Sequence, residues 1–116
     1  MLVLVVEDYP ATADAIGEML VAMGCEVEVC ETAEHALQLL ASGCMPDMVL
    51  ADVGLPGRLS GIDLAAELMQ THPEILVVLM SGTAMERMSA LGWKVLQKPF
   101  CADDLAVAIR SLRPLR

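Results

Sequence analysis

The chain lacks any apolar run long enough to cross a bilayer. Its longest uninterrupted stretches, Met1 to Val6 and Ile75 to Met80, fall far short of the roughly 20 residues a spanning helix needs. The first has no basic residue ahead of it and meets Glu7 and Asp8 where a small-residue cleavage site would follow, so a secretory signal is not expected. Basic residues are few: seven against sixteen acids leave a formal charge of −9. Such a surface repels phosphate backbones and anionic lipid, which argues against direct nucleic-acid binding and membrane insertion. A divalent cation or a basic partner surface fits better. The four cysteines, Cys25, Cys30, Cys44 and Cys101, show neither the two-residue spacing of a zinc or redox pair nor the density of a disulfide scaffold. They read as small hydrophobes in a reducing compartment, and a cytoplasmic location is expected. The glycines at 54, 57 and 61 are not followed by the Lys-Ser/Thr of a nucleotide-binding loop. Linkers, low-complexity tracts and internal repeats beyond a generic strand-helix unit are also missing, so the 116 residues are expected to form one domain, 1–116, around one core.

What is present is an alternation of short apolar strands and amphipathic helices. Leu2 to Val6 is β-branched and unalternating, the pattern of a strand covered on both faces, and it ends on Glu7-Asp8. Pro10 suits a first helical turn, and Ala11, Ala15, Met19 and Met23 recur at helical spacing until Gly24. Glu26 to Val29 alternates as an edge strand does; Thr32 can cap a helix whose face carries Ala33, Ala36, Leu37 and Leu40. Met48 to Ala51 reads as a buried strand ending on Asp52, before Gly54, Pro56 and Gly57. A helix with Leu64, Ala65, Leu68 and Met69 on its apolar face follows, then the strand Ile75 to Met80, ending on Ser81-Gly82-Thr83. A short helix over about 84–90 and a brief strand from Trp93 to Leu96 lead to Lys98-Pro99-Phe100. Asp103 and Asp104 open the last helix, Leu105, Ile109 and Leu112 form its stripe, and Arg110 and Arg113 sit near its C-terminus, the order a helix dipole favours.

Strands alternating with helices imply a parallel sheet with helices on both faces, in the order 2-1-3-4-5 as the commonest five-strand arrangement. Ligands of such sheets bind beyond the carboxyl ends of the strands. Glu7, Asp8, Asp52, Ser81 and Lys98 all fall there. Carboxylates gathered on one rim repel one another unless a cation sits among them, and oxygen donors with an open, hydrated side suit Mg²⁺. Glu7, Asp8 and Asp52 therefore read as a metal site. Lys98 as a second positive charge and Ser81 as a hydroxyl donor suit the equatorial oxygens of a transferring phosphoryl group, with Asp52 as the attacking carboxylate.

These elements, in this order and at these spacings, resemble the receiver domain of the response-regulator family over essentially the whole chain: Glu7-Asp8 after the first strand, Asp52 followed by Leu55-Pro56-Gly57 after the third, Ser81 after the fourth and Lys98-Pro99-Phe100 after the fifth. The resemblance implies a flavodoxin-like (βα)5 three-layer sandwich with a shortened fourth helix. It implies Mg²⁺ held by Glu7, Asp8, Asp52 and the backbone carbonyl of Gly54, and a cis peptide between Lys98 and Pro99. It also implies phosphorylation of Asp52 by a histidine kinase or histidine phosphotransfer protein, in a signalling module that is not an enzyme beyond its own phosphoryl transfer and dephosphorylation. A monomer or weak dimer is expected.

The chain departs from that family at Val95, where most receivers carry Tyr or Phe three residues before the lysine and use its reorientation to report phosphorylation. Trp93, two residues earlier on an extended strand, is expected on the same side and is a candidate to cover or report on that face. Gly54 and Thr83 match positions that tune dephosphorylation in the family. Two other functions compete: an interaction module that binds its partner without phosphorylation, and a haloacid-dehalogenase-type phosphohydrolase, which needs a second acid where Gly54 stands.

Overall fold

In the computed structural model of the protein, residues 1–82 and 94–112 are described. Five strands, β1 (Leu2–Val6), β2 (Glu26–Cys30), β3 (Met48–Asp52), β4 (Leu76–Ser81) and β5 (Lys94–Gln97), form one parallel sheet in the order β2-β1-β3-β4-β5. Among the described residues four helices accompany them: α1 (Pro10–Ala22), α2 (Ala33–Ala41), α3 (Gly61–Thr71) and α4 (Ala102–Leu112). This is the flavodoxin-like order read from the sequence. The expected short helix over 84–90, and Thr83 and Trp93, lie outside the described residues.

β1 is apolar at every position, and β3 and β4 are apolar up to their last residues, Asp52 and Ser81, because both sheet faces are covered. Leu4, Val6, Val49, Ala51 and Leu79 point into one layer with α2 and α3, while Val3, Val5, Met48, Leu50, Val78 and Met80 point into the other with α1 and α4. Burying each leucine contributes about 1.5–3 kcal/mol. The register sets Val5 opposite Val29 and Leu50, and Leu50 opposite Val78, so successive strand ends arrive at one edge.

The helices differ from expectation at two stripes. In α1 the buried face is Ala13, Ile16 and Leu20, not Ala11, Ala15, Met19 and Met23; Ala11 and Ala15 are exposed and the two methionines only half-buried. This helix is apolar nearly all round, so periodicity alone is ambiguous, and the branched Ile16 and Leu20 are the side chains that fill the layer. In α3 the buried face is Gly61, Leu64, Ala65 and Leu68, and Met69 is 60% exposed. Gly61 takes that place because α3 starts hard against β3: a Cβ there would lie 2.2 Å from the Asp52 carbonyl oxygen.

Caps fix where the helices begin. Pro10 occupies the first turn of α1. Thr32 Oγ1 accepts the His35 amide at 3.0 Å to start α2. Ser60 and Asp63 exchange bonds in a capping box at α3, the Ser60 hydroxyl accepting the Asp63 amide at 3.1 Å and Asp63 Oδ2 accepting the Ser60 amide at 2.9 Å. At α4, Asp104 Oδ2 accepts the Cys101 amide at 3.0 Å. All four cysteines are free, and only Cys30 is fully buried. Among the described residues no helix is long and apolar enough to cross a membrane.

Candidate functional site

The site lies at the carboxyl edge of the sheet. Glu7 follows β1, and its amide donates to the Cys30 carbonyl at 2.9 Å, which continues the ladder one step past the strand. Its side chain is buried, unusual for a carboxylate, and both oxygens are engaged. Oε2 accepts the Tyr9 amide at 3.2 Å and Oε1 accepts Lys98 Nζ at 2.5 Å. Asp8 is exposed beside it.

Asp52 is the last residue of β3. Its Oδ1 accepts the Gly54 amide at 3.2 Å, and its Oδ2 lies 3.2 Å from Lys98 Nζ. The chain beyond it is pinned on both sides, the Val53 amide to the Met80 carbonyl at 2.9 Å and the Gly61 amide to the Val53 carbonyl at 3.1 Å. On the next strands the Lys98 amide donates to the Ser81 carbonyl at 2.8 Å, and the Lys98–Pro99 peptide is cis as expected. Ser81 is buried at the end of β4.

Glu7, Asp8 and Asp52 each offer an oxygen within 4.8 Å of the others, and Lys98 bridges two of the three. Burial alone would push the Lys98 ammonium down. The Glu7 hydrogen bond and the charges of Asp52 and Glu7 outweigh it, and its pKa is raised above the ordinary lysine value. The donor set fits Mg²⁺: all oxygen, negatively charged, and open to water on the Asp8 side. Gly54 leaves room, since a Cβ built there meets nothing within 4 Å.

Of the residues singled out by sequence, Glu7, Asp8, Asp52 and Lys98 thus converge through their side chains, while Ser81 and Gly54 are joined to the site through backbone bonds. Sequence reasoning does not foresee the pairing of Lys98 with buried Glu7. The alternation of strands gives its only signal, because residues just past β1 and β5 share one edge without being sheet neighbours. A carboxylate on α2, Glu34, escapes sequence reasoning altogether. It accepts the Arg58 amide at 2.8 Å in the loop after Asp52.

A model of the response regulator receiver domain matches residues 3–110. This chain belongs to the response regulator receiver family. Nitrogen assimilation regulatory protein NtrX of Azorhizobium caulinodans is 31% identical over 121 residues, covering 98% of this chain and 26% of NtrX. Response regulator MprA of Mycolicibacterium vanbaalenii is 33% identical over 115 residues, covering 95% of this chain and 49% of MprA. The receiver therefore spans between a quarter and a half of the curated relatives it matches. Among solved structures, response regulator TrrA of Thermotoga maritima, in complex with Mg²⁺ and BeF, superposes with a TM-score of 0.85 at 28% identity, covering 97% of this chain and 98% of that one. As a receiver of the two-component type, the chain is a signalling module.

Proposed function

We propose that this receiver is a phosphorylation switch in which Asp52 accepts a phosphoryl group in a Mg²⁺-dependent reaction. The donor is a histidine kinase or histidine phosphotransfer protein, in the cytoplasm. The observation that carries the reading is the meeting of Glu7, Asp8, Asp52 and Lys98 at one sheet edge, with Lys98 Nζ in contact with two of the acids. Nothing in a scaffold alone calls for a buried carboxylate, two further acids and a lysine at one point.

In this reaction an Asp52 carboxylate oxygen attacks phosphorus, the bond from phosphorus to the donor nitrogen breaks, and the electron pair stays with the donor imidazole. Glu7, Asp8, Asp52 and the Gly54 carbonyl would hold Mg²⁺, which would supply positive charge to offset carboxylate repulsion and the charge of the phosphoryl oxygens. Lys98 adds a second positive charge on a residue whose backbone N–H donates to the Ser81 carbonyl. Ser81 supplies a hydroxyl to the phosphorylated state. The Gly54 amide on Oδ1 orients the acceptor carboxylate, a saving in positioning entropy. Phosphorylation then shifts the population toward a form that an output partner binds.

A second reading, an interaction module that needs no phosphorylation, rests on Val95, half-buried against the α2–α3 layer where an aromatic is usual. The phosphohydrolase reading lacks its second acid, since Gly54 stands in that place. Mass measurement after acetyl phosphate treatment in Mg²⁺ decides among them. The parent should gain one phosphoryl group and Asp52→Asn none. An unlabelled parent favours the interaction module, and turnover of a free phosphomonoester favours the hydrolase.

A further inference from the structure

The loop from Val53 to Ser60 carries Gly54 beside the acceptor; Val53 pins its start, and Val53 and Leu59 pack on the α2–α3 layer. Leu55 is buried in the α2–α3 layer. The next hold lies on a different element: Glu34 in the first turn of α2 reaches across and accepts the Arg58 amide at 2.8 Å. A bond from a carboxylate to a backbone amide is charge-assisted and short, stronger than the neutral equivalent. The other oxygen, Oε1, is enclosed with no hydrogen-bond partner of its own among the described residues.

Two independent features of the loop are fitted to this carboxylate. Gly57 has φ of 95°, a left-handed conformation that side chains rarely adopt. A Cβ there would also lie 3.0 Å from both Glu34 carboxylate oxygens, so the glycine makes the room the carboxylate fills. The backbone amides of Glu34 itself, Arg58 and Leu59, together with the Arg58 charge, hold the Glu34 carboxyl below its ordinary value. Glu34 is therefore ionised across the neutral range, and its negative charge also suits the helix N-terminus on which it stands.

We propose that Glu34 is a positioning residue for the acceptor site: its carboxylate latches the backbone at 57–59 to α2 and thereby fixes the Asp52–Gly54 stretch for metal binding and attack. The inference rests on the phosphoacceptor reading above. The link is short, since only Leu55, Pro56 and the tight turn at Gly57 separate Gly54 from the latched Arg58 amide. Loss of an outer partner that orients ligands typically weakens metal affinity about 10–100-fold.

The experiment compares the parent with Glu34→Ala, Glu34→Gln and Leu40→Val. The last removes one methylene at the far end of the same helix and leaves the carboxylate in place. Two quantities are read: amide hydrogen exchange at Arg58 without metal, and the apparent Kd for Mg²⁺ by calorimetry. Glu34→Ala should speed Arg58 exchange at least about tenfold and raise the Mg²⁺ Kd roughly tenfold. Glu34→Gln, which keeps one acceptor oxygen, should recover part of both, and Leu40→Val should change neither by more than about twofold. Unchanged Arg58 exchange or unchanged Mg²⁺ affinity in Glu34→Ala, or a Leu40→Val variant that reproduces both effects, would overturn the latch. A parent that neither binds Mg²⁺ nor labels at Asp52 overturns the proposed function itself; a parent that does both, matched by Glu34→Ala, overturns the latch alone.

Discussion

Replacing Lys98 by methionine keeps an unbranched apolar stem, one heavy atom shorter, and removes the ammonium, which leaves buried Glu7 facing Asp52 without the positive charge that bridges them. The substitution removes an ion pair of 2.5 Å to Glu7 Oε1 and another of 3.2 Å to Asp52 Oδ2. At an effective dielectric of about 20 each is worth roughly 5–7 kcal/mol of gross attraction. Most of that is offset by the cost of taking the groups out of water. Breaking a fully buried pair by deleting one partner costs about 3–5 kcal/mol. A quarter of the Lys98 side chain is exposed, so solvent screens part of the interaction and a net loss of about 2–4 kcal/mol is expected. Urea denaturation at pH 7 in EDTA measures it. With a slope of about 2 kcal/mol per molar, the midpoint should fall by roughly 1–2 M. Mg²⁺ should then stabilise the variant by more than it stabilises the parent, because the cation takes over the neutralisation that the ammonium provided. A ligand at 100 times its Kd adds about 2.7 kcal/mol. A Lys98→Met protein as stable as the parent in EDTA would refute the view that Lys98 holds the acids together.

Gly61→Ala should cost about 3 kcal/mol in urea melts and slow Asp52 labelling, since its Cβ would meet backbone atoms of Asp52 at 2.2 Å that have no freedom to move. Thr32→Ala removes the cap that accepts the His35 amide and should lower stability by about 1 kcal/mol without changing labelling at saturating Mg²⁺. The pH dependence has two signs. The Glu34 carboxyl is lowered from 4.5, so its contribution is present above that value and lost as pH falls through the lower folded pKa; the gap between the parent and Glu34→Gln in urea midpoint should close on acidification. The Lys98 ammonium is raised from 10.5, so its contribution is whole below that value and lost as pH rises through the higher folded pKa. The gap between the parent and Lys98→Met should persist to pH 10 and close only above it.

The parallel sheet is legible in the chain because a strand covered on both faces must be apolar throughout, and Leu2–Val6 and Met48–Ala51 are; the strand order rests on the commonest five-strand arrangement. Polar residues that follow such runs fall at one edge, which is why Glu7, Asp8, Asp52, Ser81 and Lys98 can be gathered from the sequence alone. The buried stripe of α1 is not legible. Its sequence is apolar on several faces, and only the shape of the layer against Val3, Val5 and Leu50 selects Ile16 and Leu20 over Ala11 and Ala15. Met69 departs from its expected place because it stands one residue, about 100° of rotation, past Leu68 and so off the face that Gly61, Leu64, Ala65 and Leu68 bury.

Pattern and spacing thus determined which of the described elements form and at which sheet edge the acids and Lys98 gather, because both depend on local periodicity and on the direction of the strands. Which atoms touch was decided only by the tertiary structure. Lys98 and Glu7 stand 91 residues apart and Glu34 and Arg58 stand 24 apart, and neither pair has a periodic signature that a one-dimensional reading detects. Such pairings arise when packing of whole layers brings unrelated segments within hydrogen-bond reach, and there the charge on one side chain meets a need of another.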